Sequence, residues 1–297
     1  MERLKIGYFA DGPWSHNSFN KLIDDKSIEI KFIVPRKDTK DETLKDFSVK
    51  YNIPYLEKAL INSEEFYKKA ATYKCDLFVS MSIDQIFKNR IMNLPPLGTI
   101  NCHAGMLPFY RGRNILNWVL INDEKEFGIT VHYIDEGIDT GDIIIQEGFA
   151  ITDDDDYNSL LNRAYVGCPE LLYKGIKLIQ NNEVKRIKQA SIHQVGFYCG
   201  KRGPGDEKID WNWSSRRIFN FIRSISSPGP MARSQFGGKD LLINKAKMIE
   251  GAPSYINSAG QILSKTPAGF LIKTGDSFIE IVEIESEVKL KVGDRLQ

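Results

Sequence analysis

The chain has 297 residues, and its 40 basic and 39 acidic side chains give a formal net charge of +1. This length is enough for one large domain or two ordinary ones with well-formed cores. This near-neutral net charge argues against a protein that binds nucleic acid through an overall positive charge. It does not exclude a local basic patch.

The cysteines and the apolar runs narrow the class of protein. The four cysteines are far apart and form no Cys-x-x-Cys pair, which argues against a disulfide framework and against a zinc site. The first residues lack the apolar core of a signal peptide, and no apolar run reaches the roughly 18 residues that a membrane span needs. We therefore expect a cytoplasmic protein that does not enter a membrane.

The first two thirds of the chain alternate strand-like and helix-like segments. Short apolar runs predict strands at residues 4–10, 28–34, 77–81 and 97–101. Apolar periodicity predicts helices at residues 15–23, 64–73, 86–92 and 158–180. Because strands that alternate with helices indicate βαβ units, we expect an α/β domain with a mostly parallel sheet.

The pattern changes after about residue 201. A Gly-Pro-Gly loop begins at Gly203, and one more helix is predicted at residues 214–225. From residue 240 onward, short β-like runs separated by glycine turns indicate a small all-β barrel or sandwich. We expect two domains, residues 1–203 and 204–297.

Two polar side chains at the end of the fourth predicted strand are candidates for chemistry. Asn101 and His103 are two residues apart, so both point to the same side of a strand. The carboxyl ends of parallel strands hold the ligand crevices of open α/β sheets, and an amide beside an imidazole suits oxyanion stabilisation and proton transfer. The alternative, a structural histidine beside a turn-forming asparagine, is favoured by the spacing taken alone.

A carboxylate that orients the imidazole is the third candidate. Asp135, Asp139 and Asp142 lie in a later turn, and the spacing does not choose among them or exclude that all three are turn residues. The tripeptide Asp-Thr-Gly at 139–141 occurs only once, which excludes an aspartic protease because such enzymes need two. No metal-ligand cluster, phosphate-binding loop or dinucleotide fingerprint is present, so we expect no metal.

The central stretch resembles a known family. Asn101-Cys102-His103, followed by Leu107-Pro108-Phe109-Tyr110-Arg111-Gly112, is similar to the N-x-H and L-P-x-Y-R-G signature of formyltransferases that depend on N10-formyltetrahydrofolate. The segments at residues 128–132 and 138–143 resemble further motifs of that family. The resemblance implies a Rossmann-like formyltransferase domain, a small OB-like C-terminal domain, and Asn101, His103 and Asp139 as the catalytic residues.

The resemblance also implies where the formyl donor, N10-formyltetrahydrofolate, binds. The expected contacts are the backbone after the third strand, the loop after His103 and the loop before Asp139: Met81, Ser82, Ile83, Gly105, Leu107, Asp135, Gly137 and Ile138. The run Gly105-Met106-Leu107-Pro108 departs from the family's usual Ser-Leu-Leu-Pro, so we expect altered packing there.

Two branches of the family are the candidates for the acceptor. Residues 198–211 are similar to the enzyme that formylates UDP-4-amino-4-deoxyarabinose, which implies a UDP- or dTDP-linked amino sugar used for lipopolysaccharide or another cell-surface glycan. Methionyl-tRNA formyltransferases are the alternative, but they carry a basic, glycine-rich insertion after the second strand. Here residues 34–50 mix acidic with basic side chains and contain no glycine.

Candidate acceptor contacts follow from this. Trp14 is expected to stack on a sugar or base, or else to close the corner between strand and helix. The basic candidates for the diphosphate are Arg111, Arg113, Lys201 and Arg202, with solvated loop charges as the alternative. The exposed β domain makes a homodimer an open possibility. A non-catalytic folate- or nucleotide-binding module is the remaining hypothesis, which the intact Asn, His and Asp set disfavours.

Overall fold

The computed structural model describes residues 2–297, which form thirteen strands and eight helices. The strands are β1 (Leu4–Ala10), β2 (Ile28–Val34), β3 (Leu77–Met81), β4 (Thr99–His103), β5 (Arg111–Gly112), β6 (Glu126–Tyr133), β7 (Ile143–Ala150), β8 (Tyr198–Cys199), β9 (Ala232–Phe236), β10 (Lys239–Lys247), β11 (Ile262–Lys265), β12 (Phe270–Lys273) and β13 (Phe278–Ser286). The helices are α1 (Pro13–Asp24), α2 (Thr43–Tyr51), α3 (Glu64–Thr72), α4 (Asn89–Met92), α5 (Ile115–Ile121), α6 (Tyr157–Gln180), α7 (Gln189–Ile192) and α8 (Ser215–Ser224).

The first of two compact units comprises residues 1–112, 127–149 and 162–199. Its six-stranded sheet has the order β2-β1-β3-β4-β6-β7. The neighbours β2, β1, β3 and β4 pair in parallel, and β6 runs antiparallel to β4. The predicted α/β class with a mostly parallel sheet is therefore confirmed.

An aromatic cluster fills one face of this sheet. The ring of Phe9, fully buried in β1, lies 5.5 Å from Phe32 and 5.0 Å from both Phe78 and Phe87. These rings come from the adjacent strands β1, β2 and β3 and from the segment after β3. Burying the rings together therefore favours this order of the strands. Tilted and edge-on rings at such distances add to the stabilisation that burial provides.

The predicted helix at residues 86–92 is wrong in its first half, since α4 begins only at Asn89. Side chains from an earlier segment take up the backbone groups that a helix would use. Asn62 donates to the Ile86 carbonyl at 2.8 Å and accepts from the Lys88 N–H at 2.9 Å. Long-range hydrogen bonds of this kind replace the local bonds of a helix, and the periodicity of the segment does not predict them.

The second unit comprises residues 113–126, 150–161 and 200–297. Its five-stranded antiparallel sheet has the order β11-β12-β13-β10-β9, which confirms the predicted β-rich region. The fully buried side chains of α8, among them Ile218 and Ile222, pack in the same core as Ile243, Ile272 and Ile281 of the strands. The helix therefore supplies the apolar surface that one face of the sheet needs.

Two earlier segments join the second unit through charge pairs and hydrogen bonds. The guanidinium of Arg216 in α8 contacts Asp123 at 2.5 Å and Asp153 at 2.6 Å, and the Asn117 amide donates to the Ser224 carbonyl at 2.5 Å. The sequence assigned these segments to the first domain because they precede residue 203. The boundary at that residue stays a prediction.

None of the helices within residues 2–297 combines the length and the hydropathy that crossing a bilayer requires.

Truncating the central aromatic ring should lower stability more than any surface change. We expect Phe9→Ala to reduce the free energy of unfolding by about 3–5 kcal/mol, because a buried ring is replaced by a cavity. Val49 is 78% exposed, so Val49→Ala should stay within about 0.5 kcal/mol of the wild type. Urea unfolding followed by circular dichroism measures both, and equal effects would contradict the role given to the cluster.

Candidate functional site

Asn101 and His103 lie inside β4, where β6 positions two further side chains opposite them. The antiparallel register pairs Asn101 with His132 and His103 with Thr130. His103 and His132 are both buried, and their ring centroids are 6.5 Å apart. The expected strand ended at residue 101, and its extension to His103 holds both candidates in one rigid element.

His103 is oriented by a backbone carbonyl. Its Nε2 lies 2.7 Å from the carbonyl oxygen of Tyr110, which can only accept, so this nitrogen carries hydrogen. In the neutral ring the lone pair is therefore on Nδ1, which lies 3.7 Å from Asp139 Oδ2. A proton taken up at Nδ1 places the imidazolium charge beside a carboxylate.

The carboxylate of Asp139 is largely buried and is held by several groups. Its Oδ2 accepts the Gly112 N–H at 2.9 Å, and its Oδ1 lies 3.5 Å from His132 Nε2. Burial raises the pKa of Asp139, but the charges of His103 and His132 and the hydrogen bonds from His132 and Gly112 outweigh that effect, so its pKa lies well below the usual range of a carboxyl. Asp139 therefore stays ionised across the physiological pH range.

His132 belongs to this cluster, although it is not among the site residues expected from the sequence. Its Nδ1 donates to the Tyr133 carbonyl at 2.7 Å, so in the neutral ring Nε2 accepts from the Asn101 amide, 3.3 Å away. A protonated ring would instead donate to Asp139. Because the Asn101 nitrogen carries two hydrogens, one remains for a bound oxygen. The signal available was the motif at 128–132, whose strand alternation places Thr130 and His132 on one side.

The loop after His103 is packed so tightly at its second residue, Gly105, that only glycine fits there. A Cβ on Gly105 would lie 2.4 Å from His103 Nε2 and 2.7 Å from the Tyr110 carbonyl oxygen. The loop is held by Thr130, which donates to the Gly105 carbonyl at 2.6 Å, and by Gln146, which donates to the Leu107 carbonyl at 2.9 Å. Gly105 was expected to contact the donor, but here it packs against the His103 hydrogen bond.

The other residues expected to bind the donor lie on two loops of the first unit. Met81 ends β3 and is buried, Ser82 follows with a φ of 62°, and Ile83 is half-buried. In the later loop, Asp135 accepts from the Gly137 N–H at 3.1 Å, and Ile138 is 51% exposed. Leu107 is fully buried, which leaves its backbone as the part able to face a ligand.

Two of the expected acceptor residues lie in the first unit. Trp14, in the first turn of α1, is half-buried with its ring 5.1 Å from that of Tyr165. Arg111 is only 7% exposed: two of its nitrogens bind the Gln189 side-chain oxygen at 2.7 and 3.1 Å, and a third binds the Val195 carbonyl at 3.2 Å. These contacts favour a structural role for Arg111 over binding a diphosphate.

The remaining three acceptor candidates lie in the second unit. Arg113 and Lys201 are exposed, and the Arg202 guanidinium lies 5.4 Å from the Trp118 ring centroid. Burial lowers the pKa of Arg202, and nearby acidic groups raise it in part. Arg202 also lines a cavity of about 490 Å³ within this unit, together with Asn114, Tyr157, Glu207 and Arg233.

Among residues 2–297 there is no group of three or more histidine, cysteine or acidic side chains arranged to hold a metal ion.

Family models match both parts of the chain. A model described as formyl transferase matches residues 6–173, and a model of the formyl transferase C-terminal domain matches residues 202–293. Together they span the strands that carry the Asn101, His103 and Asp139 cluster and the β-rich region.

Individual relatives fall into two groups. Methionyl-tRNA formyltransferase of Alkaliphilus oremlandii is 33% identical over 252 residues, which cover 85% of this chain and 80% of the relative. The bifunctional polymyxin resistance protein ArnA of Wigglesworthia glossinidia brevipalpis is 34% identical over 225 residues, which are 76% of this chain and 34% of that longer protein.

A solved structure shares the fold. The crystal structure of an N-formyltransferase from Helicobacter canadensis, in complex with folinic acid and dTDP-3-aminofucose, matches with a TM-score of 0.72 and 24% identity. The match covers 96% of this chain and 100% of that one.

The tight packing at Gly105 is testable by adding one methyl group. We expect Gly105→Ala to lower turnover by about ten- to a hundred-fold, because the methyl displaces the His103 ring from the Tyr110 carbonyl. Gly200→Ala is the control, since nothing lies within 4 Å of a Cβ built there. Steady-state rates measure both, and an unchanged rate in a folded Gly105→Ala protein would contradict the positioning of His103.

The lowered pKa of Asp139 makes its contribution to stability depend on pH. A carboxyl whose folded pKa is depressed stabilises the fold fully above its unfolded pKa, near 4, and loses this contribution as the pH falls further. Wild type should therefore be more stable than Asp139→Asn at pH 7, and by a smaller margin at pH 3. Urea unfolding at both pH values measures the margin.

Asp154→Asn changes an exposed carboxyl and should give almost no margin at either pH. A margin for Asp139→Asn that is the same at pH 7 and pH 3 would show that its carboxylate is not stabilised by its neighbours.

Proposed function

The chain belongs to the formyltransferase family, and on this basis we propose that it moves a formyl group from N10-formyltetrahydrofolate to the amino group of a nucleotide-linked amino sugar. The observation that carries the proposal is the cluster of Asn101, His103 and Asp139, in which an amide donor, an oriented imidazole and an ionised carboxylate converge. A non-catalytic binding module would have no need of this arrangement.

The residues around the cluster suit a folate donor. The peptide groups after Met81 present fixed donors and acceptors, as a pterin requires, and the exposed side chain of Ile138 offers an apolar surface. We assign the donor to the two loops that carry Ser82, Ile83, Asp135 and Ile138. When bound, the donor supplies an activated formyl group that an amine can attack.

The protein's own groups then handle charge and a proton. Asn101 donates its second amide hydrogen to the negative charge that develops on the formyl oxygen. His103 accepts the proton of the attacking amine at Nδ1, the nitrogen left unprotonated by the bond to Tyr110. Asp139, 3.7 Å away and ionised, stabilises the imidazolium that results. His103 would then give this proton to the N10 nitrogen as the bond between N10 and the formyl carbon breaks, so that tetrahydrofolate leaves and the imidazole is neutral again. The burial of His103 and the partial burial of Asn101 and Asp139 strengthen these interactions, because the local dielectric is lower than that of water.

Several observations favour a sugar acceptor over tRNA. In residues 34–50 the basic side chains pair with acidic neighbours, Arg36 with Asp38 at 2.9 Å and Lys45 with Glu42 at 2.8 Å, so little net charge is left to hold phosphates. The similarity of residues 198–211 to the enzyme that formylates UDP-4-amino-4-deoxyarabinose points the same way. A UDP- or dTDP-linked amino sugar for lipopolysaccharide or a related cell-surface glycan, formylated in the cytoplasm, is the acceptor we propose.

Methionyl-tRNA formyltransferase is the second candidate, and it is favoured because most of the similar relatives carry that name. The relative from Alkaliphilus oremlandii with that activity in its name is 33% identical over 85% of this chain. Both candidates use the same donor and the same Asn, His and Asp chemistry, so only the acceptor separates them.

For the sugar nucleotide we assign the cavity of the second unit that Arg202 lines. Lys201 is exposed beside it in sequence, and both side chains carry the positive charge that a diphosphate needs. Arg113 is a further exposed candidate, and Trp14 is the candidate for stacking. We leave Arg111 out of this set because its guanidinium is already bound within the protein.

A mass-spectrometric formylation assay tests the acceptor and the catalytic residues together. With N10-formyltetrahydrofolate, the panel holds UDP- and dTDP-linked amino sugars beside initiator methionyl-tRNA, and we expect product on a sugar nucleotide. Asn101→Ala and His103→Ala should each lower turnover by about a hundred- to a thousand-fold, since each removes a group used in the transition state. Product on the tRNA alone would overturn the sugar acceptor, and near-normal turnover of His103→Ala would overturn the catalytic assignment.

Removing two positive charges tests the assignment of the diphosphate. The double variant Lys201→Ala, Arg202→Ala should raise the KM for the sugar nucleotide at least ten-fold and leave the KM for the folate donor unchanged, because only the acceptor carries the diphosphate. The double variant Lys239→Ala, Lys247→Ala, which changes the two exposed ends of β10, is the charge-matched control. An acceptor KM equal to that of the control would exclude this pair.

A further inference from the structure

Gln189 lies at the centre of a closed ring of hydrogen bonds within the first unit. It is 4% exposed, and its side-chain oxygen accepts two bonds from the Arg111 guanidinium. Its side-chain nitrogen donates to the carbonyl of Asp139 at 2.9 Å and to that of Gly141 at 2.8 Å. All four hydrogen-bonding positions of the amide are therefore used: the oxygen accepts two bonds and the nitrogen donates two.

The ring closes through the backbone of the residue after Arg111. Gly112 donates its N–H to the Asp139 carboxylate, and β8 holds Gly112 in place by pairing it with Cys199. Asp139 is thus held by hydrogen bonds at two points, at its carbonyl by Gln189 and at its side chain by Gly112. Arg111 is connected to both points, because it binds Gln189 and directly precedes Gly112 in the chain.

These hydrogen bonds stabilise an unfavourable backbone conformation at Asp139. Asp139 has a φ of 54°, in the left-handed region that costs energy for residues other than glycine. Bonds to its carbonyl and to that of Gly141 offset this cost and fix the direction of the side chain. The segment that carries Gln189 is itself fixed, because Ile187 and Ile143 exchange N–H to carbonyl bonds at 2.9 and 3.0 Å.

We propose that Gln189 is a positioning residue for catalysis, which acts by holding Asp139 at the distance from which its carboxylate supports His103. The proposal rests on the catalytic role of Asp139 in the proposed function. It is separate from a merely structural role, in which Gln189 would serve only to accept hydrogen bonds from the buried Arg111 guanidinium. The two roles differ in which half of the amide matters: the nitrogen for positioning Asp139, the oxygen for binding Arg111.

Gln189→Glu separates the two halves. A glutamate keeps the oxygen that Arg111 binds, as a charged pair, but it cannot donate to the carbonyls of Asp139 and Gly141. A structural role predicts that this variant behaves like the wild type. The positioning role predicts that kcat falls by about ten- to a hundred-fold while both KM values stay within about three-fold, because a shift near 1 Å is enough to lose that much rate.

The matched control makes the same chemical change elsewhere. Gln180 donates from its side-chain nitrogen to the Ser27 carbonyl at 3.1 Å, and its side-chain oxygen accepts from Ser27 and Lys177, so these bonds lie away from Asp139 and Arg111. Gln180→Glu should leave kcat unchanged. In the Asp139→Asn background, Gln189→Glu should add little further loss, since the group that it positions is already altered; a full multiplicative loss would overturn the proposal.

A readout without turnover separates this proposal from the proposed function. The chain has only four histidines, so the ¹⁵N resonances of the His103 ring can be assigned by single His→Gln variants. At pH 7, Gln189→Glu should shift these resonances in the same direction as Asp139→Asn, and Gln180→Glu should not. A folded Gln189→Glu protein with wild-type His103 resonances would overturn the positioning role even if formyl transfer is never detected.

Discussion

The buried carboxylate of Asp139 is the constraint on which the rest of the site depends. Withdrawing a negative charge from water is costly, so it must be met by donors and by groups able to carry positive charge. The Gly112 N–H of β5 and the rings of His103 in β4 and His132 in β6 surround this carboxylate. The same cluster lowers the pKa of the carboxyl and gives an imidazolium at His103 a counter-charge.

The surrounding fold holds each of these partners in place by a different means. β4 and β6 present Asn101, His103 and His132 in fixed register, because an antiparallel ladder leaves no freedom along the strands. The loop at Gly105 and the Tyr110 carbonyl set the face of the His103 ring. Arg111 and Gln189, both buried, join the Asp139 loop to β5. The sequence made Arg111 a candidate to bind a diphosphate, but in the structure its guanidinium binds Gln189 within the protein.

The proposed function divides the chemistry and the choice of acceptor between different parts of the chain. The loops proposed to bind the donor and the proposed catalytic residues lie in the first compact unit, whereas the exposed residues Arg113 and Lys201 and the cavity that Arg202 lines lie in the second. This division fits a family in which one reaction is combined with different acceptors. Relatives named methionyl-tRNA formyltransferase and polymyxin resistance protein ArnA match this chain at nearly the same identity, 33% and 34%.

The sequence by itself determined the class of fold and the position of its catalytic candidates. Periodicity of two and of 3.6 residues is a local property, so it predicted the alternating strands and helices, the β-rich end of the chain, and a strand end bearing Asn101 and His103. A matching motif singled out Asp139 from its two neighbours.

Only the tertiary structure decided which groups meet. It brought His132 opposite Asn101, buried Arg111 against Gln189, and joined residues 113–126 and 150–161 to the second unit. These contacts connect residues 31 to 107 positions apart. No local pattern encodes them, because they arise when separate elements bury a shared surface and must satisfy one another's polar groups.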